Sequence, residues 1–289
     1  MRRGMCHALA GVVGAGAVLL LAASAQGQNL FGADFLSGNI YEYTPGGGSS
    51  TFASGLSEPY GLAFNSAGNL FETDYGSGNI YEFTPSGARS TFASGLNDPS
   101  SLAFNSAGNL FEGDVLSGHI YEFTPSGARS TFASNVGDPL SFAFNSAGDL
   151  FVGGYGAIDE FTPSGVSSNF ATYSDAAPTG LAFDSAGDLF AADNHKGAIY
   201  EFTPNGGSST FASGLMAPWG LAFNSSGTLF EADGSGKIYE FTPNGGSTSF
   251  ASGMSGGIGL AFQPIPEPST WALVGLGLSA LLIFRGCRP

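Results

Sequence analysis

"GLAFNSAGNLFETDYGSGNIYEFTPSGARSTFASGL", residues 61–96, decides the fold, because variants of it fill most of the chain. The Leu of its "LF" pair returns at Leu30, Leu70, Leu110, Leu150, Leu189 and Leu229, with spacings of 40, 40, 40, 39 and 40 residues. A fixed period of this length marks a repeat architecture. Each unit holds four short β-like runs: "GLAF", "NLFETD", "NIYEF" and "STFAS". Turn chemistry separates them. "NSAG" supplies a side-chain acceptor and a Gly free to take positive φ, as a tight hairpin requires. "YGSG" forms a glycine-containing loop, and in "TPSG" the Pro presets φ before a closing Gly. No stretch of the repeat carries a helical period of adequate length. Four strands per unit of about 40 residues predicts a blade of a β-propeller.

The blade number follows from counting. "LAF"-type strands begin at Leu62, Leu102, Phe142, Leu181, Leu221 and Leu260, which makes six, and the "LF" strands are also six. The repeat is out of phase with the chain: it enters at an "LF" strand and leaves on a "LAF" strand. The last run, "GIGLAF", therefore has no blade of its own and is expected to complete the first. An all-β six-bladed ring of four-stranded blades results, with two sheet edges hidden that would otherwise invite aggregation. An open β-solenoid is the alternative, but it would not need the offset.

Composition agrees. The 289 residues include 46 Gly and 15 Pro, yet the glycines keep no every-third-residue register, which excludes collagen. The 26 Phe and 10 Tyr supply enough core material to argue against disorder. A net charge of −15 makes nucleic acid an improbable partner, since few cations are present to replace phosphate counterions.

The two ends read differently from the repeat. "MRR", the apolar run that follows and "ASA" before Gln26 form a secretory signal peptide over residues 1–25, with a retained membrane helix as the alternative. The propeller is expected over residues 26–263 and a separate tail over residues 264–289. Cys6 and Cys287, the two cysteines, lie in these terminal segments, so loss of both ends leaves no thiol and no disulfide. Arg89, Arg129, Lys196 and Lys237 would then be the basic residues that remain. In the tail, Pro266, Glu267 and Pro268 precede a 14-residue apolar run, Trp271 to Phe284, followed by Arg285 and Arg288. A full membrane span takes about 20 residues, so this helix is short.

Two resemblances rest on these residues. "P-x-GLAFNSAGNLFxxD…NIYEFTPSG" is similar to the NHL and gluconolactonase-like six-bladed propellers over roughly Asn29 to Phe262. The tail resembles the PEP-CTERM sorting signal of Gram-negative bacteria. That resemblance implies an exosortase-type protease as partner and transient anchoring of the tail in the inner membrane. Export to the cell envelope, outer surface or medium would follow. Positive charge holding the end of the tail in the cytoplasm agrees with the positive-inside rule; an ordinary tail anchor is the alternative.

A catalytic site should break the repeat, because identical blades supply identical groups. Asp34, Asp74, Asp114, Asp193 and Asp233 occupy one position in five blades, with Gly154 in the fourth. Such a ring could bind a divalent cation such as calcium, but Asp before a Gly loop more often caps backbone N–H groups. The repeated Glu42, Glu82, Glu122, Glu160, Glu201 and Glu240 read as structural for the same reason. Neither His119 nor His195 has a His or Cys at ligand spacing, so no zinc-type metal site is expected. The "DNHKG" loop, residues 193–197, reads as a solvated turn. No nucleophile elbow or phosphate loop appears. Gluconolactonase-like enzymes hold a metal with Glu, Asn and Asp from different blades, and that set does not map onto unique positions here. No catalytic residue is therefore assigned.

One face does vary. Loops after the second and fourth strands emerge on one side of a propeller and carry Phe35, Tyr60, Tyr75, Tyr155, Tyr173 and Trp219 beside Glu58, Asp98 and Asp138. Aromatics next to carboxylates suit sugar rings, which stack on one and donate hydroxyls to the other. Tyr60, Tyr75, Tyr155 and Trp219 are the candidate ligand contacts, with extracellular polysaccharide as the candidate ligand; inter-blade packing is the competing role. The expected function is a secreted, non-catalytic binding or scaffold propeller. The alternative is a lactonase- or lyase-like hydrolase with a metal in the channel.

Overall fold

The four runs of each repeat pair in antiparallel order into one four-stranded sheet, and six such sheets form the ring of a β-propeller. The computed structural model describes residues 27–173 and 178–265. The expected leader, residues 1–25, lies outside the described residues, as does the tail from Pro266 through Glu267 and Pro268 to Arg285 and Arg288. Blade 1 contains β1 (Leu30–Asp34), β2 (Asn39–Tyr43) and β3 (Ser49–Ala53). Blade 2 runs from β4 (Pro59–Phe64) through β5 (Leu70–Asp74) and β6 (Asn79–Phe83) to β7 (Arg89–Ser94). Blades 3 to 6 repeat this order, their inner strands being β8 (Pro99–Phe104), β12 (Ser141–Phe144), β16 (Pro178–Phe183) and β20 (Pro218–Phe223).

The chain closes on itself as the phase of the repeat requires. The last strand, β24 (Gly257–Phe262), pairs antiparallel with β1, setting Leu30 opposite Phe262 and Gly32 opposite Leu260. The order β24-β1-β2-β3 makes blade 1 as complete as the other five. Packing carries the closure further. In each blade a Phe on the second strand meets two others edge-on. Phe31 lies 5.0 Å from Phe52 of its own blade and 5.0 Å from Phe64 of the next. Phe230 in blade 6 repeats this with Phe250 at 4.9 Å and with Phe262 of β24 at 5.1 Å. Edge-to-face pairs at this separation are favourable beyond the area they bury.

The second strand of every blade is buried along its whole length. It lies between two neighbouring blades, so both of its faces are covered and hydrophobic alternation gives way to a continuous buried run. The fourth strand begins exposed and forms the rim. The "NSAG" turns behave as their residues dictate: Gly68, Gly108 and Gly148 take φ of 82°, 82° and 90°, where a side chain would be strained. Asn69 Nδ2 donates to Glu82 Oε1 at 2.7 Å, and Asn109 to Glu122 in the same way, which gives these repeated glutamates a structural role.

Candidate binding face at the channel mouth

The inner strands fix what the channel can hold. One position on each points across to the next inner strand: Gly61, Ser101, Ser141, Gly180, Gly220 and Gly259. A Cβ at Gly180 would collide with the Trp219 carbonyl, one at Gly220 with that of Ile258, and one at Gly259 with that of Tyr60. The backbones therefore approach directly, which only Gly permits. Where Ser stands instead, its hydroxyl spans the gap. Ser141 Oγ donates to the Pro178 carbonyl at 2.8 Å and Ser101 Oγ to that of Pro139 at 3.1 Å. Thr179 Oγ1 likewise donates to Pro218 O at 3.0 Å. These hydroxyls link blade to blade and are not free for chemistry. The cavity left in the channel is about 90 Å³, room for a few waters.

Above it, on the face bearing the loops after the second and fourth strands, the variable aromatics meet. Tyr60 and Tyr75 stack at 5.9 Å with 26° between their planes. Phe35 of blade 1 closes on both at 6.3 and 6.1 Å. Trp219 of blade 6 stands edge-on to Tyr60 at 6.3 Å. Blade 1 lies between blades 6 and 2, so this last contact reaches over the mouth rather than along one blade interface. The Tyr75 hydroxyl donates to Asp98 Oδ2 at 3.0 Å. Burial, that hydrogen bond and the charges of Asp98, Glu58 and Asp138 push Tyr75 up to about 12. Those three acids precede the inner strands of blades 2, 3 and 4, and each is held at positive φ: 60°, 57° and 43°. Exposed apolar side chains ring the same face, with Leu36, Leu116, Tyr155 and Met216 all more than half exposed.

Of the four candidate ligand contacts, the structure thus gathers Tyr60, Tyr75 and Trp219 and adds Phe35. Tyr155 stands apart, 63% exposed, with His195 edge-on at 5.9 Å. Its loop, between Gly154 and Ala157, is the shortest of its kind and does not reach the cluster. Tyr173 is partly buried among Tyr200 and Phe202, between blades 4 and 5, and burial holds its hydroxyl far above the ordinary range. The aspartate ring is occupied by backbone. Asp74 accepts N–H bonds from Ser77 in its own loop at 3.1 Å and from Ser57, in the connection from blade 1, at 2.8 Å. Asp34 does the same for Ser255 and Gly256 across the closure. In "DNHKG", Asp193 Oδ1 accepts from the backbone of His195 and Lys196, while its buried Oδ2 has no partner among the described residues. Among the described residues no three His, Cys, Asp or Glu side chains converge to hold a metal ion.

Three acids escape a reading of the sequence. Glu72, Glu112 and Glu231 occupy the third position of the second strand in blades 2, 3 and 6, and all three are fully buried. Neither carboxylate oxygen of Glu72 or Glu112 has a hydrogen-bond partner, and Glu231 has no bond of good geometry, only the Trp219 backbone N–H close by, which partly offsets the effect of burial. Burial, reinforced by the nearby Asp233, pushes Glu231 up to about 8; burial and the adjoining Asp74 and Asp114 hold Glu72 and Glu112 well above the carboxylate range. The equivalent residues elsewhere are Gly32, Val152 and Ala191. At Gly32 the freed space goes to the Tyr43 ring and the Met254 sulfur. The signal was present, since the repeat breaks at this letter, but a glutamate in a strand reads as solvent-facing.

Comparison with known proteins identifies the end of the chain and the ring separately. The model of the PEP-CTERM protein-sorting motif matches residues 264–288. The C-terminus is a PEP-CTERM sorting signal. Such a signal implies recognition by an exosortase-type system, export through the membrane, and an envelope or extracellular destination. No curated protein matches the chain in sequence. Among solved structures, a chain of a nidogen/laminin complex superposes with a TM-score of 0.75 at 17% identity, covering 83% of this chain and 100% of that one. A gluconolactonase from Xanthomonas campestris gives 0.66 at 16% identity, over 72% and 82% of the two chains. A virginiamycin B lyase from Staphylococcus aureus gives 0.58 at 16%, over 82% of each. At these identities the likeness establishes the fold and leaves activity open, since one scaffold carries many functions.

Proposed function

We propose that the PEP-CTERM propeller is a non-catalytic binding module of the cell envelope or extracellular matrix, which holds polysaccharide at its aromatic mouth. The observation that carries this reading is the division between channel and mouth. The channel is narrow and lined by Gly, apolar groups and hydroxyls already committed between blades, whereas the mouth gathers four aromatics beside three carboxylates. A lactonase-like hydrolase would place its distinctive polar groups inside the channel.

Trp219 tests the reading. In the exported protein carrying Trp271→Phe, titration with oligosaccharides from the extracellular matrix should change the Trp219 fluorescence. Trp219→Ala should weaken binding by about 1–3 kcal/mol, the scale of one aromatic contact and its buried area. It should lower stability by less than that, because the indole is only partly buried. A loss of about 3–5 kcal/mol in folding stability, typical of a truncated core aromatic, with no change in glycan affinity would make Trp219 a packing residue instead.

Sorting has its own test. In a host with the matching protease, intact-mass analysis of the exported protein should show a product ending near residues 266–269 and lacking Cys287. Recovery of the complete tail would indicate simple anchoring.

A further inference from the structure

Opposite the mouth, on the face that carries the "NSAG" and "TPSG" turns, blade 1 has no "NSAG" turn of its own, because the two ends of the ring meet there. Gln263 N donates to Asn29 O at 2.9 Å, as Asn65 N does to Asn69 O at 3.0 Å in blade 2. Asn29 Nδ2 also holds Glu42 at 2.6 Å, as Asn69 holds Glu82 at 2.7 Å. Gln28 therefore stands where other blades carry the glycine of the turn, such as Gly108 or Gly187. Its side chain reaches back across the blade interface. Oε1 accepts from the Ser225 backbone N–H of blade 6 at 2.6 Å, and Nε2 donates to the Gln263 carbonyl at 2.9 Å. One carboxamide thus bridges a donor on one blade and an acceptor on the next.

The same donor and acceptor recur without the glutamine. Between blades 2 and 3 they are Ser66 N–H and Asn105 O; between blades 4 and 5 they are Ser146 N–H and Asp184 O. Neither N–H has a hydrogen-bond partner among the described residues. Each carbonyl accepts one bond from the glycine of its turn and keeps a second lone pair. Both pairs line open grooves, of about 500 Å³ between blades 2 and 3 and about 370 Å³ between blades 4 and 5. In the first, Phe71, Phe92 and Phe104 form an apolar wall of edge-on rings at 5.0 and 5.1 Å. Phe151, Phe170 and Phe183 repeat it in the second. We infer that these two grooves dock glutamine side chains carried on a segment of another polypeptide. The occupant is argued from the ring itself, which fills the equivalent place between blades 6 and 1 with a glutamine of its own backbone. The carboxamide supplies an acceptor and a donor together, and the methylenes lie along the phenylalanine wall. A glutamate would lack the donor and would meet the carboxylates of Glu82 or Glu160 that line the grooves. A lysine would lack the acceptor. The inference is independent of glycan binding at the mouth, which lies at the other end of the channel.

The test titrates the isotope-labelled exported protein with the acetylated, amidated peptide of residues 26–29, QGQN, and follows the backbone amides by NMR. The Ser66 and Ser146 amides should shift saturably, while the Ser225 amide, already engaged by Gln28, stays in place. The same peptide carrying Gln28→Ala or Gln28→Glu should bind at least about tenfold more weakly, the scale of one lost hydrogen bond. On the protein, Ser66→Pro removes the donor at the second position of a turn closed by Gly68 N–H to Asn65 O at 3.0 Å, where proline is favoured. It should abolish the response of Ala67 and Ser106 beside the first groove, leave that of Ser146 unchanged and leave the melting curve in place. Should that variant fail to fold, the peptide series on the unaltered protein decides alone. Unmoved Ser66 and Ser146 amides, or equal binding of the alanine peptide, would overturn the inference. Tighter binding of an N-acetylglucosamine oligomer, whose acetamido group carries the same donor and acceptor, would overturn it by assigning the grooves to a glycan.

Discussion

Replacing Glu72, Glu112 and Glu231 by glutamine is expected to stabilise the propeller at neutral and alkaline pH and to flatten its pH dependence. The three carboxyls are buried with no hydrogen bond of good geometry, and burial raises their folded pKa values, at Glu231 against a smaller opposing pull from the Trp219 backbone N–H. An acid with a raised folded pKa holds its proton in the native state after the unfolded chain has released it. Its contribution is fully present below the unfolded value of about 4.5 and is lost as pH climbs to the folded value, about 8 for Glu231. At pH 7 the loss at Glu231 alone is on the order of 3 kcal/mol. Glutamine keeps the shape and cannot ionise. Urea melts at pH 5, 6.5 and 8 should show Glu231→Gln gaining little at pH 5 and about 3 kcal/mol near neutrality, with the triple variant gaining more. An unchanged slope in the triple variant would mean that these carboxyls are solvated or paired in solution.

The second large effect concerns closure. Deleting residues 257–262 removes β24, uncovers the inner edge of β1 and strips Leu260 and Phe262 from the packing between blades 1 and 6. An unpaired edge inside the ring is a template for association between chains. The expected outcome is aggregation or loss of a cooperative transition, because the removed contacts exceed one core truncation and total stability is only about 5–15 kcal/mol. Leu260→Ala is the graded version and should cost about 2–5 kcal/mol while leaving the ring closed. A truncated chain that stays monomeric and melts with the full domain would show that the ring does not depend on pairing its ends.

The ring and its closure were legible because the period repeats the same four runs and the turn residues between them. The offset between the first "LF" and the last "LAF" forces β24 onto β1. The mouth was partly legible. Tyr60, Tyr75 and Trp219 stand at positions where the repeat varies, and the topology sends those positions to one face. Whether they meet depends on loop length, and the short loop of blade 4 removes Tyr155 from the group. The role of Trp219 could not be read locally, because its neighbour Tyr60 lies 159 positions away in sequence and two blades around the ring. Glu72, Glu112 and Glu231 were hidden for a different reason. A strand enclosed between blades has no solvent face, so polarity along it no longer reports direction.

Amide hydrogen exchange with and without the extracellular polysaccharide of the producing cells tests most directly whether the mouth is the working face. The account predicts slowed exchange in the loops carrying Phe35, Tyr75 and Asp98 and at the starts of β4 and β20, which carry Tyr60 and Trp219, with the "NSAG" and "TPSG" turns at the opposite end unchanged. Protection confined to those turns, or none at any amide, would contradict it.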